Sequence, residues 1–276
     1  MRATFQKKVL IGSVLIDNVD WPEAIRRVEE LIREDCQAFV TTPNVDHVVT
    51  AESDDLFRTI YRQADLVLAD GVPIIWASKF LGTPIKEKIS GSDFLVRFCP
   101  VAAEKGYRLF FLGGMPTAAE ISADILTRKY PGLKVVGVSC PPIGFHEDHE
   151  SNARVLEEIT KAAPDIVFVG LGAPKQEKWI FRNKESYRAP VSFTVGASFD
   201  FVAGITARAP LLMQEIGLEW FWRLLKEPRK LWKRYLIKDM KFFPLIIRQK
   251  RSGPADSAGD SIGKPPAPPP VQPETD

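Results

Sequence analysis

The chain is poor in the residues that build covalent or metal scaffolds. It has three cysteines, Cys36, Cys99 and Cys140, far apart and without a C-x-x-C pair. That count and spacing exclude a disulfide framework or zinc ribbon and fit a reducing compartment. Histidine is also scarce, with three in the chain. His146, Glu147, Asp148, His149 and Glu150 crowd together, but at a loop and a helix start, where the helix dipole favours acids. Their spacing matches no zinc motif, so no metal site is read. The remaining histidine, His47, has no obvious partner and reads as a satisfied residue on a helix face. No stretch approaches the roughly 20 apolar residues needed to cross a bilayer, so any membrane contact is expected to be peripheral. The first apolar run is broken at Gly12 and Asp17, and no signal peptide is read from it.

Several chemical signatures are missing too. There is no G-x-S-x-G, no G-x-x-x-x-G-K-[ST], and no G-x-G-x-x-G opening a helix after a first strand. A serine hydrolase elbow and a P-loop NTPase are thereby excluded, and a nicotinamide-dependent oxidoreductase is disfavoured. The D-x-D element of metal-dependent sugar-nucleotide enzymes is absent as well, and no cofactor is expected. The sequence calls for no nucleic-acid partner.

What remains is a chain of 276 residues, 45% hydrophobic and 26% charged, able to bury a sizeable core. Its net charge of +2 hides an asymmetry: residues 223–251 carry eleven Lys/Arg against Glu227 and Asp239, or +9, leaving −7 for the rest. A basic end on a mildly acidic body suggests a segment that meets an anionic surface.

The stretch DIVFVGLGAPKQ, residues 165–176, organises the chain. A continuous apolar run predicts a strand covered on both faces. Gly170 and Gly172 allow a sharp turn, and Pro174 suits the first position of a helix carrying Lys175 and Gln176. Such a helix start offers N–H groups and a positive dipole end to phosphate. An ordinary tight turn is the plainer alternative. On either side, strands are expected at 9–16, 39–41, 66–69, 108–112, 133–139 and 191–195. Helices are expected at 21–34 (capped by Asp20), after Asn44, at 53–63 (capped by Ser53), 73–80, 93–104 (capped by Ser92), 117–129, 149–162 and 175–184. This alternation predicts an α/β fold with a Rossmann-like, mostly parallel sheet and helices on both faces. Ligands of open α/β sheets bind at the carboxyl edge. Thr42, Asp70-Gly71, Gly113-Gly114, Gly172 and Gly196 should lie along it.

Asp70 is the most pointed candidate, because burial at the sheet edge would raise its pKa toward that of a general base. It could instead cap the next helix. Thr42 and Asn44 offer hydrogen bonds to a sugar or phosphate, or caps. Gln176 can donate and accept, and Lys175 supplies a point charge. Asp200 leans to a structural role. From residue 210 the pattern changes to helices at 213–226 and 228–243, basic and amphipathic, with aromatic residues: the signature of interfacial binding to an anionic membrane, or of packing on the body or a second copy. The expected organisation is a core at 1–208, a helical appendage at 209–250, and a disordered Pro-rich tail at 251–276.

The segments TPNVDHVV, ADLVLADGVPIIWASKFLG, SGSDF, LFFLGG, VFVGLGAPKQEKWI, VGASFDFVAG and GLEWFWRLLKEPRKLWKRYL occur in this order. In that order they resemble the WecG/TagA/CpsF glycosyltransferases, over residues 9–245. The resemblance implies an inverting enzyme, working without a metal, that moves a sugar from a UDP-sugar donor to a polyprenyl-diphosphate-linked acceptor at the cytoplasmic face of the membrane. It implies N-acetylmannosamine as the sugar and undecaprenyl-diphosphate-GlcNAc as the acceptor; glucose is a donor assigned to other relatives. Asp70 then matches a proposed catalytic base, Thr42 and Asn44 the T-P-N pair, and Gln176 the glutamine of GAPKQE. Arg223 matches an appendage arginine thought to close over the site; Arg229, Lys230 and Arg234 match that region more loosely. Against this stand an oxidoreductase and a non-catalytic membrane adaptor.

Overall fold

A computed structural model describes residues 8–252. Beyond Ser252, the tail expected to be disordered lies outside the described residues. The strands are β1 (Lys8–Ile11), β2 (Val14–Asp17), β3 (Ala38–Thr41), β4 (Leu66–Val67), β5 (Arg108–Gly113), β6 (Lys134–Ser139), β7 (Ile166–Gly170) and β8 (Val191–Thr194). Six of them form one sheet in the order β4-β3-β8-β7-β5-β6. Every pairing in it is parallel, as crossover helices require.

The sheet is buried on both faces, which explains the continuous apolar runs. Along β7, Val167 and Val169 join the core on one face, with Phe39, Phe110 and Leu112. Ile166 and Phe168 join the core on the other, with Val40, Phe111 and Phe193. Side chains alternate across a strand, so a run without polar residues fills both layers at once.

Local chemistry sets the element ends. Asp20 accepts from Glu23 N while Glu23 returns a bond to Asp20 N, a capping box that starts the helix Trp21–Glu34. Two expected caps move. Asp54, not Ser53, caps Asp55–Gln63, and Ser90, not Ser92, caps Gly91–Lys105. In each case a neighbouring residue with the same capping chemistry has the extended backbone that a cap requires. The strand expected at 9–16 is a hairpin, β1-β2, turning at Gly12 with φ +59. Asp17 at its end accepts from Val67 N at 2.8 Å, so the hairpin covers the open edge of β4. Pro174 stands one residue before its helix, which runs Lys175–Tyr187, and follows a cis peptide bond.

The appendage is more broken than its pattern suggests. The helix expected at 213–226 is two helices, Leu211–Glu215 and Glu219–Lys226. Gly217 separates them with φ +76, and a Cβ there would stand 2.9 Å from Val72 Cβ. A turn in the left-handed region, pressed on the helix Val72–Leu81, requires glycine. Gly217→Ala is expected to cost about 1–2 kcal/mol from backbone strain alone, and the neighbouring appendage contacts should loosen with it. An unchanged Tm would show that Gly217 does not seat the appendage. The chain continues through Pro228–Lys233, a wide π-helical turn Arg234–Lys238, a tight turn Asp239–Lys241 and the helix Phe242–Arg251. Phe242 and Ile246 of that last helix are buried in the same core as Val9 and Ile11.

Candidate active site

The carboxyl edge carries the candidates in sheet order. Asp70 follows β4, Thr42 and Asn44 follow β3, Gly196 follows β8, Gly172 follows β7 and Gly113 ends β5. Strands lie about 4.8 Å apart, so β4 and β5, four steps apart, put roughly 19 Å between Asp70 and Gly113. One reacting centre cannot include both. The connections reverse direction between β5, which leads outward to β6, and β7, which leads back to β8. That switch point is where an open α/β sheet holds a ligand.

Asp70 is fixed by its backbone, with Asp70 N donating to Pro43 O at 3.0 Å and Ile89 N to Ala69 O at 2.8 Å. Gly71, with φ +100, caps the next helix and makes no side-chain bond, so Asp70 is not a helix cap. Its half-buried carboxylate takes no hydrogen bond from the described residues. Its pKa is pushed from an ordinary 3.8 to about 6, first by burial and then by the charge of Glu219, with Lys88 and His47 pulling the other way. Glu219 belongs to the appendage, which therefore comes close enough to act on this carboxylate. A carboxylate left free and weakly acidic is suited to accept a proton near neutral pH.

Thr42 is buried at the end of β3, beside Gly91, where an added Cβ would meet Thr42 Oγ1 at 3.2 Å. Asn44 caps the helix Val45–Ser53: its Oδ1 accepts from Asp46 N at 3.1 Å and lies 2.7 Å from His47 Nδ1. Its amide nitrogen keeps two donors for a ligand. Gln176 is buried and engaged at both ends, accepting from Gly196 N at 3.1 Å and donating to Glu177 Oε1 at 2.8 Å.

The glycines divide into two kinds. At Gly113, an added Cβ would stand 2.7 Å from Gly170 O, and at Gly114 it would meet Phe199, so both serve close packing of neighbouring strand ends. Asp200 ties this turn down, accepting from Met115 N at 2.8 Å. Gly172 and Gly196 face open space, with positive φ and nothing within 4 Å of an added Cβ. They leave room over β7 and β8. Lys175 is exposed at the start of its helix, where Gln176 N is already bonded to Gly172 O at 3.0 Å.

The appendage cations sort by partner. Arg234 and Lys238 hold Asp46, at 3.4 and 2.6 Å, and Lys238 also donates to Thr50 Oγ1 at 2.8 Å. The wide turn between them brings both to one carboxylate. Burial raises the Asp46 pKa, but Arg234 and Lys238 outweigh it and hold the carboxyl below its usual range. Asp239 beside them is pushed to about 6, by burial and then by Asp46. Arg223 is half-buried and near enough to Tyr235 for its charge to counter the rise that burial gives the phenol. Arg229 is exposed, and Lys230 lies on the helix Pro228–Lys233.

Sequence reasoning missed several neighbours of these residues. Asp93 takes Ser90 Oγ–H and Arg208 Nη2–H, each at 2.7 Å, and lies 3.8 Å from Lys88. Glu219, Asp46 and Glu177 also went unread. The SGSDF segment was the available signal for Asp93; the others become neighbours of the site only through folding. Among the described residues no three His, Cys, Asp or Glu side chains gather as a metal-holding set.

A parallel sheet covered on both faces, with a carboxylate at its carboxyl edge, is the architecture of the α/β ligand-binding class. Comparison with known proteins gives the class a family. The profile of the Glycosyl transferase WecG/TagA/CpsF family matches residues 9–256, and the chain belongs to that family. Among its relatives is the N-acetylglucosaminyldiphosphoundecaprenol N-acetyl-beta-D-mannosaminyltransferase of Bacillus subtilis, 30% identical over 82% of this chain and 84% of the relative. Proteins of the same name in Bacillus spizizenii and Staphylococcus aureus are 29% and 27% identical, covering 78% and 87% of this chain and 80% and 91% of theirs. The chain is a glycosyltransferase.

Proposed function

We propose that this glycosyltransferase moves N-acetylmannosamine from UDP-ManNAc to the GlcNAc of an undecaprenyl-diphosphate-linked acceptor, with inversion and without a metal. The reaction serves cell-surface polysaccharide synthesis. The observation that carries the reading is Asp70: a carboxylate that takes no hydrogen bond from the described residues, with its pKa near 6, beside Thr42 and Asn44, in a family with relatives named as N-acetylglucosaminyldiphosphoundecaprenol N-acetyl-beta-D-mannosaminyltransferases. Asp70 takes the proton of the acceptor hydroxyl as that oxygen attacks C1 of the donor sugar, and UDP leaves from the opposite face. The charge of the leaving diphosphate is met by Lys and Arg side chains and backbone N–H groups, and Lys175, Arg223, Arg229 and Lys230 are assigned to it. Gly71, Gly172 and Gly196 let the substrates approach the backbone, and the Gly113-Gly114 turn shapes the far end of the donor cleft. A donor panel with a short-chain lipid-diphosphate acceptor, run with and without a chelator, tests this. Transfer from UDP-glucose but not UDP-ManNAc would overturn the donor, and loss of activity with chelator would overturn metal independence.

The core at 1–208 is read as the catalytic unit and the appendage at 209–250 as its membrane contact, peripheral on the cytoplasmic face. Among the described residues no helix is long and apolar enough to cross a membrane. The appendage nonetheless exposes Leu211, Leu212, Leu225, Trp232, Leu236, Ile237 and Phe243 beside its excess of Lys and Arg. Exposed apolar residues within a cationic surface suit an anionic bilayer. Binding to vesicles containing phosphatidylglycerol should exceed binding to neutral vesicles by about tenfold or more at low salt and weaken as salt rises. Equal binding to both would remove the anionic-surface partner. A concentration-dependent homo-oligomer in place of vesicle binding would assign the same face to a second copy.

A further inference from the structure

We infer that His47 and Glu177 are positioning residues, a buried relay that sets Asn44 and Gln176 in register for sugar transfer; this rests on the reading of Asn44 and Gln176 as site residues. The relay runs across the ends of three adjacent strands. From β8, Gly196 N donates to Gln176 Oε1 at 3.1 Å. On the helix after β7, Gln176 Nε2 donates to Glu177 Oε1 at 2.8 Å. Glu177 Oε1 lies 3.5 Å from His47 Nε2, and His47 Nδ1 lies 2.7 Å from Asn44 Oδ1, after β3. One carboxylate oxygen thus accepts from the glutamine and stands within ion-pair distance of the imidazole.

Two bonds compete for His47 Nδ1. Asn44 N could donate to it at 3.3 Å, or it could donate to Asn44 Oδ1 at 2.7 Å. A proton on Nδ1 satisfies the shorter of the two contacts, and both ring nitrogens then face oxygen atoms. The consequence is orientation. With Oδ1 held by His47 and Asp46 N, the Asn44 NH2 is turned away from both, and a flipped amide would place NH2 against two donors. The ring is itself clamped, stacked on Phe57 at 6.0 Å and edge-on to Tyr61 at 6.3 Å between centroids.

The relay is an expensive way to fill space. Glu177 is fully buried, and its Oε2 has no hydrogen-bond partner among the described residues. An apolar residue of the same shape would avoid that desolvation, so stability does not explain the carboxylate. Orientation of Asn44 and Gln176 does. A misplacement of about 1 Å at a reacting centre costs up to roughly 10²-fold in rate.

The test is a double-mutant cycle on the full chain, assayed with UDP-ManNAc and a lipid-diphosphate acceptor, with Tm measured for each variant. Asn44→Ala alone should lower kcat. His47→Ala should lower kcat by roughly 10–10²-fold while the donor KM stays within about threefold, as expected for lost transition-state alignment. The double variant should lose clearly less than the product of the two single losses, since His47 acts largely through Asn44. His47→Asn, which places an amide donor near the Nδ1 position, should restore more activity than His47→Gln, which reaches toward Glu177. Multiplicative losses in the double variant, or an unimpaired His47→Ala, would overturn the relay while leaving the proposed function standing. An unimpaired Asn44→Ala would overturn the assignment of Asn44 and the relay with it. If all three His47 variants fail to fold, the histidine belongs to the core and the relay is overturned.

Discussion

Asp70→Asn is expected to lower kcat by roughly 10²–10⁴-fold, the usual cost of a lost general base, while donor binding survives. The carboxylate is held by its backbone and takes no hydrogen bond from the described residues, so the amide should fit without disturbing its neighbours. Two pH effects of opposite usefulness follow from its pKa of about 6. Activity should need the ionised form and fall as pH drops through about 6. Stability should move the other way. The folded pKa lies above the ordinary 3.8, so the folded state binds the proton more tightly. Stability from this group is full below about 4 and is lost as pH rises through about 6. Asp70→Asn should therefore melt higher than the parent at pH 8 and equally at pH 4. Burial and Glu219 make the base useful and the fold less stable by the same means. Unchanged kcat would remove Asp70 from the reaction; a pH-independent difference in Tm would show that its ionisation is not penalised.

The second large effect is expected at Asp46. Asp46→Ala should cut turnover on the lipid-linked acceptor by roughly 10²-fold, on the scale set by misalignment at a reacting centre, and lower stability by about 1–3 kcal/mol. The carboxylate has only 9% of its side-chain surface exposed and gathers Arg234 and Lys238. Without it two cations press on each other against the helix that starts at Asn44. The appendage should then swing away from the site, although Phe242 and Ile246 keep its far end in the core. Those buried side chains make this change a cleaner test than removing the appendage, which would open the core. The pairing lowers the Asp46 pKa, so its contribution is full above about 4 and is lost as pH falls through the lowered folded value. Raised salt should imitate the variant in part, because Lys238 remains 41% exposed. Full activity of Asp46→Ala on lipid-linked acceptor would show that docking here is not needed for transfer.

The parallel sheet was legible because a doubly buried strand leaves a continuous apolar run, as in residues 166–169, and because helices of regular period fall between such runs. Asp20 and its helix were legible for the same local reason: a cap and a capping box lie within four residues of sequence. Asp54 and Ser90 show the limit. Where two capping residues stand close together, the backbone path chooses between them, and that path is set by packing. The break at Gly217 was hidden because an amphipathic period survives a tight turn; only the approach to Val72 shows why the helix stops.

The site divides along the same line. Sequence by itself determined the kinds of residue available at the strand ends: a carboxylate at 70, small polar groups at 42 and 44, an amide at 176, and a basic, aromatic C-terminal segment. These are local facts, written in adjacent residues. Tertiary structure alone decided that Glu219 of the appendage helps set the Asp70 pKa, that Asp46 holds Arg234 and Lys238, and that His47 meets Glu177 from the far side of the sheet edge. Each of those contacts joins residues more than a hundred positions apart. Charge acts through space, and chain folding, which sequence spacing does not encode, fixes which charges share it.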